Sequence, residues 1–201
     1  ARAKGGAGAV CFESMPVQAY ANRGRLWNPL PMFSDKILPS LSRTADEVHE
    51  TGSMLVANLR HGGYNTSFVN NSAARAPSVV PSAAGEVPTQ ISASAIRELV
   101  RDFGAAALRA RQAGLDMIEV NAGLDYLLGA AMNPTLNRRT DEYGGSAANR
   151  ARMLAEVLES VREAVAGAVA VGIKLSVAHV IRGDPNDFGV EQSLEIVLIL
   201  A

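Results

Sequence analysis

The residues of this chain whose types could do chemistry fall at or near the carboxyl ends of short apolar runs. Asn58 lies late in a run that begins at Met54, Glu119 and Asn121 in one that begins at Asp116, and Lys174 and Ser176 in one that begins at Ala170. Side chains alternate across a strand, so residues two apart share a face. If the runs are strands, Met117, Glu119 and Asn121 lie on one side and Ile118 and Val120 on the other. Asn58 likewise stands opposite Leu55, Ala57 and Leu59, and Lys174 with Ser176 stands opposite Val171, Ile173 and Leu175. Each strand then carries an aliphatic face for covering helices and a face that turns polar. An amide, a carboxylate and an ammonium gathered at one end could hydrogen-bond a polar ligand and balance its charge. A plainer reading has Glu119 and Lys174 pair inside the sheet, because two buried charges are costly unless matched. The two readings are compatible.

The elements that would position these groups follow from periodicity. Four runs, Ala7 to Phe12, Met54 to Leu59, Asp116 to Asn121 and Ala170 to Ser176, have the length and bounding residues of buried parallel strands. A helix is expected from Ala93 to Gln112, with Ser92 as its N-cap, Ile96, Leu99, Val100, Phe103 and Ala107 on its apolar stripe, and Gly114 as its stop. A second is expected from Ala147 to Ala166, closed by Gly167, and shorter ones near Arg43 to Glu50 and Val190 to Leu200. Strands alternating with helices need crossover connections, which makes the fold α/β with a parallel sheet. Periodicity does not separate a closed barrel from an open sheet, but in both, ligands bind at the carboxyl ends of the strands. The stretch from Gly62 to Ile91 is rich in Asn, Ser, Pro and Gly and lacks either period, and loops of that length are often functional. Neither a repeat nor a linker divides residues 1–201, so a single domain is expected.

Composition narrows the function classes. With 48% hydrophobic residues and 19 basic against 20 acidic side chains, the 201 residues have the make-up of one globular unit. A net charge of -1 with scattered Lys and Arg argues against a nucleic-acid partner. The single cysteine, Cys11, sits in an apolar run and is read as core; alone it forms no internal disulfide, which suits a reducing compartment. No run approaches the roughly 20 apolar residues of a membrane helix. The expectation is a cytoplasmic protein acting on a small molecule, with no membrane partner and with homo-oligomerisation left open. The strand ends offer no convincing set of His, Asp and Glu ligands, so no metal is expected. His49 is read as a surface residue.

The segment from Asn133 to Arg150, N-P-T-L-N-R-R-T-D-E-Y-G-G-S-A-A-N-R, resembles the signature of the old yellow enzyme family, also called NADH:flavin oxidoreductases. There, P-x-x-N-x-R-x-D-x-Y-G-G-S-x-x-N-R leads into the helix after the fourth barrel strand. Gly144 and Gly145 supply the turn ahead of the cap Ser146. Leu55 to Gly63 is similar to the third-strand motif Q-L-x-H-x-G-R, and Val171 to Ser176 to the fifth-strand motif V-x-V-R-L-S. The resemblance runs from Gly5 to Leu200 and implies a partial (β/α)₈ TIM barrel, approximately strands two to five with their helices. Strand one would precede Ala1, and strands six to eight, with the phosphate-binding loops, would follow Ala201. A complete barrel needs about 250 residues, in keeping with an incomplete one here.

The resemblance implies an FMN-dependent oxidoreductase that passes hydride between NADH or NADPH, flavin and an unsaturated carbonyl acceptor; a truncated barrel that binds no flavin by itself is the non-enzymatic alternative. Asn58 stands where the family has a glutamine on the flavin pyrimidine ring, and Lys174 where it has an arginine near the N1/O2 edge. Asparagine keeps the amide on a shorter stem, and lysine keeps the charge without the planar fork. The strand-four motif H-G-A-H-G-Y-L reads N-A-G-L-D-Y-L from Asn121 to Leu127. Asn121 keeps a donor for the acceptor's oxygen, Leu124 does not, Asp125 replaces a glycine, and Tyr126 stands at the proton-donor position. These departures leave room for a branch of the family that oxidises N-methylated amines, where carboxylates and aromatic faces suit a cation. His61 and Tyr64 would line that pocket, and His179 follows strand five on the same face.

Overall fold

A computed structural model describes residues 1–19, 30–66, 74–82, 85–123, 126–178 and 188–201. Its strands are β1 (Ala9–Cys11), β2 (Met15–Pro16), β3 (Met54–Arg60), β4 (Arg75–Ala76), β5 (Thr89–Gln90), β6 (Met117–Ala122) and β7 (Ala170–Leu175). Its helices are α1 (Leu38–His49), α2 (Ala93–Gln112), α3 (Leu127–Met132), α4 (Ala147–Val165) and α5 (Val190–Leu200). The main sheet is parallel throughout, in the order β1-β3-β6-β7, with β2 also paired to β3. Alternation works as expected: Leu55, Ala57, Leu59, Ile118 and Val120 face the helices and share one core with Phe103, Leu154 and Val157. Each of the larger of these side chains, fully buried, contributes about 1.5–3 kcal/mol.

The opposite face carries no helix among the described residues. Met54 is 54% exposed there, and Cys11 is exposed as well. Cys11 is therefore not core, because alternation along β1 turns its neighbour Val10 toward the helices instead. Open parallel sheets are covered on both faces, so a parallel sheet with helices on one face alone is an arc of a barrel whose polar face is the interior.

Register sets the polar rows. Asn58 is level with Glu119, Glu119 with Gly172, and Asn121 with Lys174. On the other flank Cys11 is level with Val56 and Met15 with Leu59, so four steps along β1 and β2 match three along β3. The additional residue makes a bulge, within which Ser14 takes a left-handed φ of 43°.

Local signals account for the helix ends. Ser92 and Ser146 accept hydrogen bonds from the N–H of Ala95 and Asn149, each at 3.2 Å, and so cap α2 and α4. The described parts of the stretch from 62 to 91 are anchored by packing and hydrogen bonds. A 3₁₀ turn at Gly63–Thr66 and the β4–β5 ladder build a second core of Tyr64, Ala76, Val80, Ala130 and Leu136. Arg139 holds that segment down, its Nη1 donating to the carbonyls of Pro77 (3.1 Å) and Ile91 (2.6 Å) while Nε and Nη2 fork onto Asp141. The guanidinium holds the Asp141 carboxyl below its ordinary range. At the amino ends of the strands, Asp116 Oδ2 accepts from Leu55 N–H at 2.7 Å and pairs with His49 Nε2 at 2.9 Å. Burial alone would raise the Asp116 carboxyl, but these two hydrogen bonds bring it below the usual carboxylate value.

Candidate functional site

The polar strand ends open into one cavity of about 530 Å³, lined by Asn58, Glu119, Asn121, Gly123, Tyr126, Lys174 and Ser176, and by Arg2 and the 11–14 segment of the bulge. Asn58, Asn121 and Lys174, expected to open toward the same end, do so. A hydrogen-bond chain runs along the wall. Gly123 N–H donates to Asn121 Oδ1 (3.1 Å), Asn121 Nδ2 donates to Asn58 Oδ1 (3.0 Å), and Asn58 Nδ2 donates to Glu119 Oε1. The direction of donation orients both amides, which are each 4% exposed. Each keeps a second N–H, and Glu119 a second oxygen, so the row can still serve a ligand. The ion pairs among the described residues are His49–Asp116, Arg109–Asp35 and Arg139–Asp141, so the Glu119–Lys174 pairing does not form. Register explains this: Lys174 is level with Asn121, one layer beyond Glu119. Gly123 fits because a Cβ there would come within 3.3 Å of both Asn121 Oδ1 and Ser176 Oγ.

Tyr126 enters the cavity from the N-cap of α3, which is tied to the end of β3 by Leu127 N–H donating to His61 O at 3.2 Å. Its ring lies over the guanidinium of Arg60, 5.4 Å from centroid to carbon. Arg60 is 1% exposed and shares the interior face with Asn58, two residues before it. The sequence reading passed over Arg60, although that two-residue spacing was the signal for it. A cation under an aromatic face fixes the ring in place.

His61 and Tyr64, expected to line the substrate pocket, do not reach this cavity. His61 is fully buried, and its Nδ1 accepts from Gly63 N–H at 3.1 Å. Burial, then the charges of Arg75 and Arg60, bring its pKa to about 3, so the ring is neutral. Tyr64 folds onto the second core and donates its hydroxyl to Val80 O at 2.9 Å. Leu124, Asp125 and His179 lie outside the described residues. His49 is partly exposed, as expected of a surface residue, and adds the pairing to Asp116. Cys11 and Ser14 are cavity residues that the sequence reading did not select, since the bulge that brings them there depends on pairing with β3. Burial raises the Cys11 thiol, the Glu119 charge raises it further, and Lys174 opposes them.

The sequence profile of the NADH:flavin oxidoreductase / NADH oxidase family matches residues 1–199. The NADPH dehydrogenase of Listeria monocytogenes serotype 4a (strain HCC23) is 34% identical over 173 residues, 86% of this chain and 50% of that protein. The metal reductase of Desulforamulus reducens (strain ATCC BAA-1160 / DSM 100696 / MI-1) is 37% identical over 166 residues, 82% of this chain and 24% of that protein. Histamine dehydrogenase from Rhizobium sp. 4-9 superposes with a TM-score of 0.86 at 27% identity, covering 98% of this chain and 29% of its own. Morphinone reductase in complex with tetrahydroNAD gives 0.77 at 27% identity, covering 87% of this chain and 53% of its own. The chain thus spans about half the length of the Listeria enzyme and of morphinone reductase and less than a third of the other two, and its arc of parallel strands is part of a TIM barrel that the described residues do not close. With the profile matched over nearly every residue, the chain belongs to the NADH:flavin oxidoreductase / NADH oxidase family, whose members are flavin-dependent oxidoreductases.

Proposed function

We propose that the protein is an FMN-dependent oxidoreductase of the old yellow enzyme type that passes hydride between NADH or NADPH and an unsaturated carbonyl acceptor. The observation that carries this reading is the convergence of Asn58, Asn121, Lys174 and Tyr126 on one cavity at the carboxyl ends of the strands. The donor set suits a flat heteroaromatic ring edged with carbonyl and N–H groups: two oriented amides with N–H groups to spare, a cation, and the buried Ser14 hydroxyl. FMN, when bound, supplies a carrier that takes hydride from a nicotinamide and gives it to the acceptor. Asn58 and Asn121 would hold the ring edge and Lys174 would set a positive charge where negative charge develops. Hydride addition to a conjugated alkene leaves the adjacent carbon in need of a proton, which the Tyr126 hydroxyl, its ring steadied over Arg60, would give.

The test separates the two half-reactions in FMN-loaded protein. Anaerobic bleaching of the flavin by NADPH or NADH is expected to be unaffected by Tyr126→Phe. Re-oxidation by 2-cyclohexenone is expected to slow by about 10²–10⁴-fold, the usual worth of a positioned general acid. An unchanged alkene step would remove Tyr126 from the chemistry. Wild-type protein that takes up no FMN would remove the whole reading.

A second reading, oxidation of N-methylated amines, is favoured by the carboxylates Glu13 and Glu119 in the same cavity and by the near-complete superposition on histamine dehydrogenase. Bleaching of the bound flavin by an N-methylated amine, with no re-oxidation by the alkene, would select it.

A further inference from the structure

We propose that Glu119 is a positioning residue: its carboxylate anchors the deep end of the amide chain, so that Asn58 and Asn121 meet a ligand with their orientation already set. That the ligand is a flavin rests on the reading above; the setting of the amides does not. The chain is pinned at both ends by groups that act in one sense only. A carboxylate has no donor, so Asn58 must turn Nδ2 to Glu119 Oε1 and its oxygen to Asn121. A backbone N–H only donates, so Asn121 must turn Oδ1 to Gly123 and its nitrogen to Asn58. The two requirements agree. With both amide oxygens already accepting, each amide has one N–H left to offer in the cavity that both line.

Topology directs the carboxylate to this partner. Residues level with one another on the same face of adjacent strands are nearest side-chain neighbours. Those of Glu119 are Asn58 on β3 and Gly172 on β7. Gly172 presents no side chain, and Met117 Cε takes the space one would need, 2.5 Å from where its Cβ would stand. Lys174 is level with Asn121 instead, and Glu119 is in none of the ion pairs among the described residues. Of its two level neighbours, only Asn58 can bond it.

Two substitutions separate reach from charge. Glu119→Gln keeps the length and an acceptor oxygen, while Gly123 still holds the other end of the chain. Glu119→Asp keeps the charge on a stem one methylene shorter. In the full-length apoprotein, solvent exchange of side-chain amide protons is followed by NMR. It is expected to stay slow at Asn58 and Asn121 in Glu119→Gln and to quicken at both in Glu119→Asp, although Asn121 does not bond to residue 119. Titration with FMN, followed by its fluorescence, is expected to give an affinity within about twofold of wild type for Glu119→Gln and about tenfold weaker for Glu119→Asp, the loss of one hydrogen bond from the rim. In an Asn58→Ala background the Asp substitution should cost nothing further. A role for the charge acting through space predicts the reverse order of the two variants, and a packing role predicts a cost that adds to that of Asn58→Ala. Either result, or unchanged Asn121 exchange in Glu119→Asp, would overturn the assignment. Wild-type protein that takes up no FMN would overturn the flavin reading, and the exchange measurement would still decide the role of Glu119.

Discussion

Removing the Arg139 side chain should unfasten the segment between residues 74 and 91 at a cost that can be worked from its contacts. The side chain is 2% exposed and spends its donors on two fixed carbonyls, Pro77 O and Ile91 O, and on both oxygens of Asp141. Its guanidinium also lies 5.9 Å from the Tyr143 ring centroid. Arg139→Ala leaves the two carbonyls without their donor, each worth about 1–3 kcal/mol when buried. The Asp141 side chain is 36% exposed, so water replaces much of what that partner loses, and the pair itself adds only about 0–1 kcal/mol. The sum is about 2–7 kcal/mol, centred near 4. For a chain of this size the central value lowers the melting temperature by roughly 8–16 °C. Arg139→Lys keeps the charge but not the fork, and should recover less than half of the loss, about 1–2 kcal/mol. Urea denaturation followed by far-ultraviolet circular dichroism measures both variants. A loss below about 1 kcal/mol for Arg139→Ala would refute the reasoning, because that is the range of a surface pair rather than a buried clamp.

Two other perturbations are read from the scaffold. Asp116 has a depressed carboxyl, so its stabilising contribution is present above its unfolded value, about 3.9, and is lost as pH falls through the lower folded value; Asp116→Asn should flatten the acid limb of a stability-against-pH curve, and an unaltered limb would show that its bonds to Leu55 and His49 carry little. Gly104→Ala should cost about 1–3 kcal/mol, because its Cβ would stand 2.4 Å from Ser160 Oγ where α2 crosses α4. Ser160→Ala in the same chain should restore most of that loss, and additive destabilisation in the double variant would place the strain elsewhere.

Much of the fold was legible because its signals are local. Helices α2 and α5 span the residues expected of them, Ser92 and Gly114 cap and stop α2, and Ser146 caps α4, whose left-handed exit is made at Ala166, one residue before the expected Gly167. Legibility failed where a partner far away in sequence decides the outcome. The strand begun at Ala9 resumes at Met15 only because β3 pairs with both pieces, and nothing in the segment itself announces the bulge. Helix α3 went unread because Leu127 to Met132 is buried on every side and shows no period. Helix α1 starts at Leu38, well before the expected Arg43, with Pro39 in its first turn where the missing N–H is harmless. For His61 and Tyr64 the resemblance pointed at a pocket, whereas the turn at Gly63–Thr66 packs Tyr64 on the second core and His61, fully buried, accepts from Gly63 N–H.

At the site itself, Asn58, Glu119, Asn121 and Lys174 line one cavity, but Glu119 does not take the partner expected of it, and the difference bears on what the cavity offers a ligand. Had Glu119 paired with Lys174, the ammonium would be held inside the wall and its charge spent there. Instead the carboxylate accepts from Asn58, whose oxygen in turn holds Asn121, and Lys174 stands one layer nearer the strand ends. The three wall residues thereby lose rotational freedom before any ligand arrives, and the N–H groups left over point in directions already determined. Donors fixed in advance cost little to reorganise when charge shifts on the ligand, and a low-dielectric wall strengthens them. Lys174 is exposed and keeps a longer reach, as a point charge that follows negative charge rather than a planar fork that dictates its position. The register of three strands therefore divides the cavity into a fixed amide rim and an exposed cation, a division that the proposed function would use to orient a ring and to answer its change of charge.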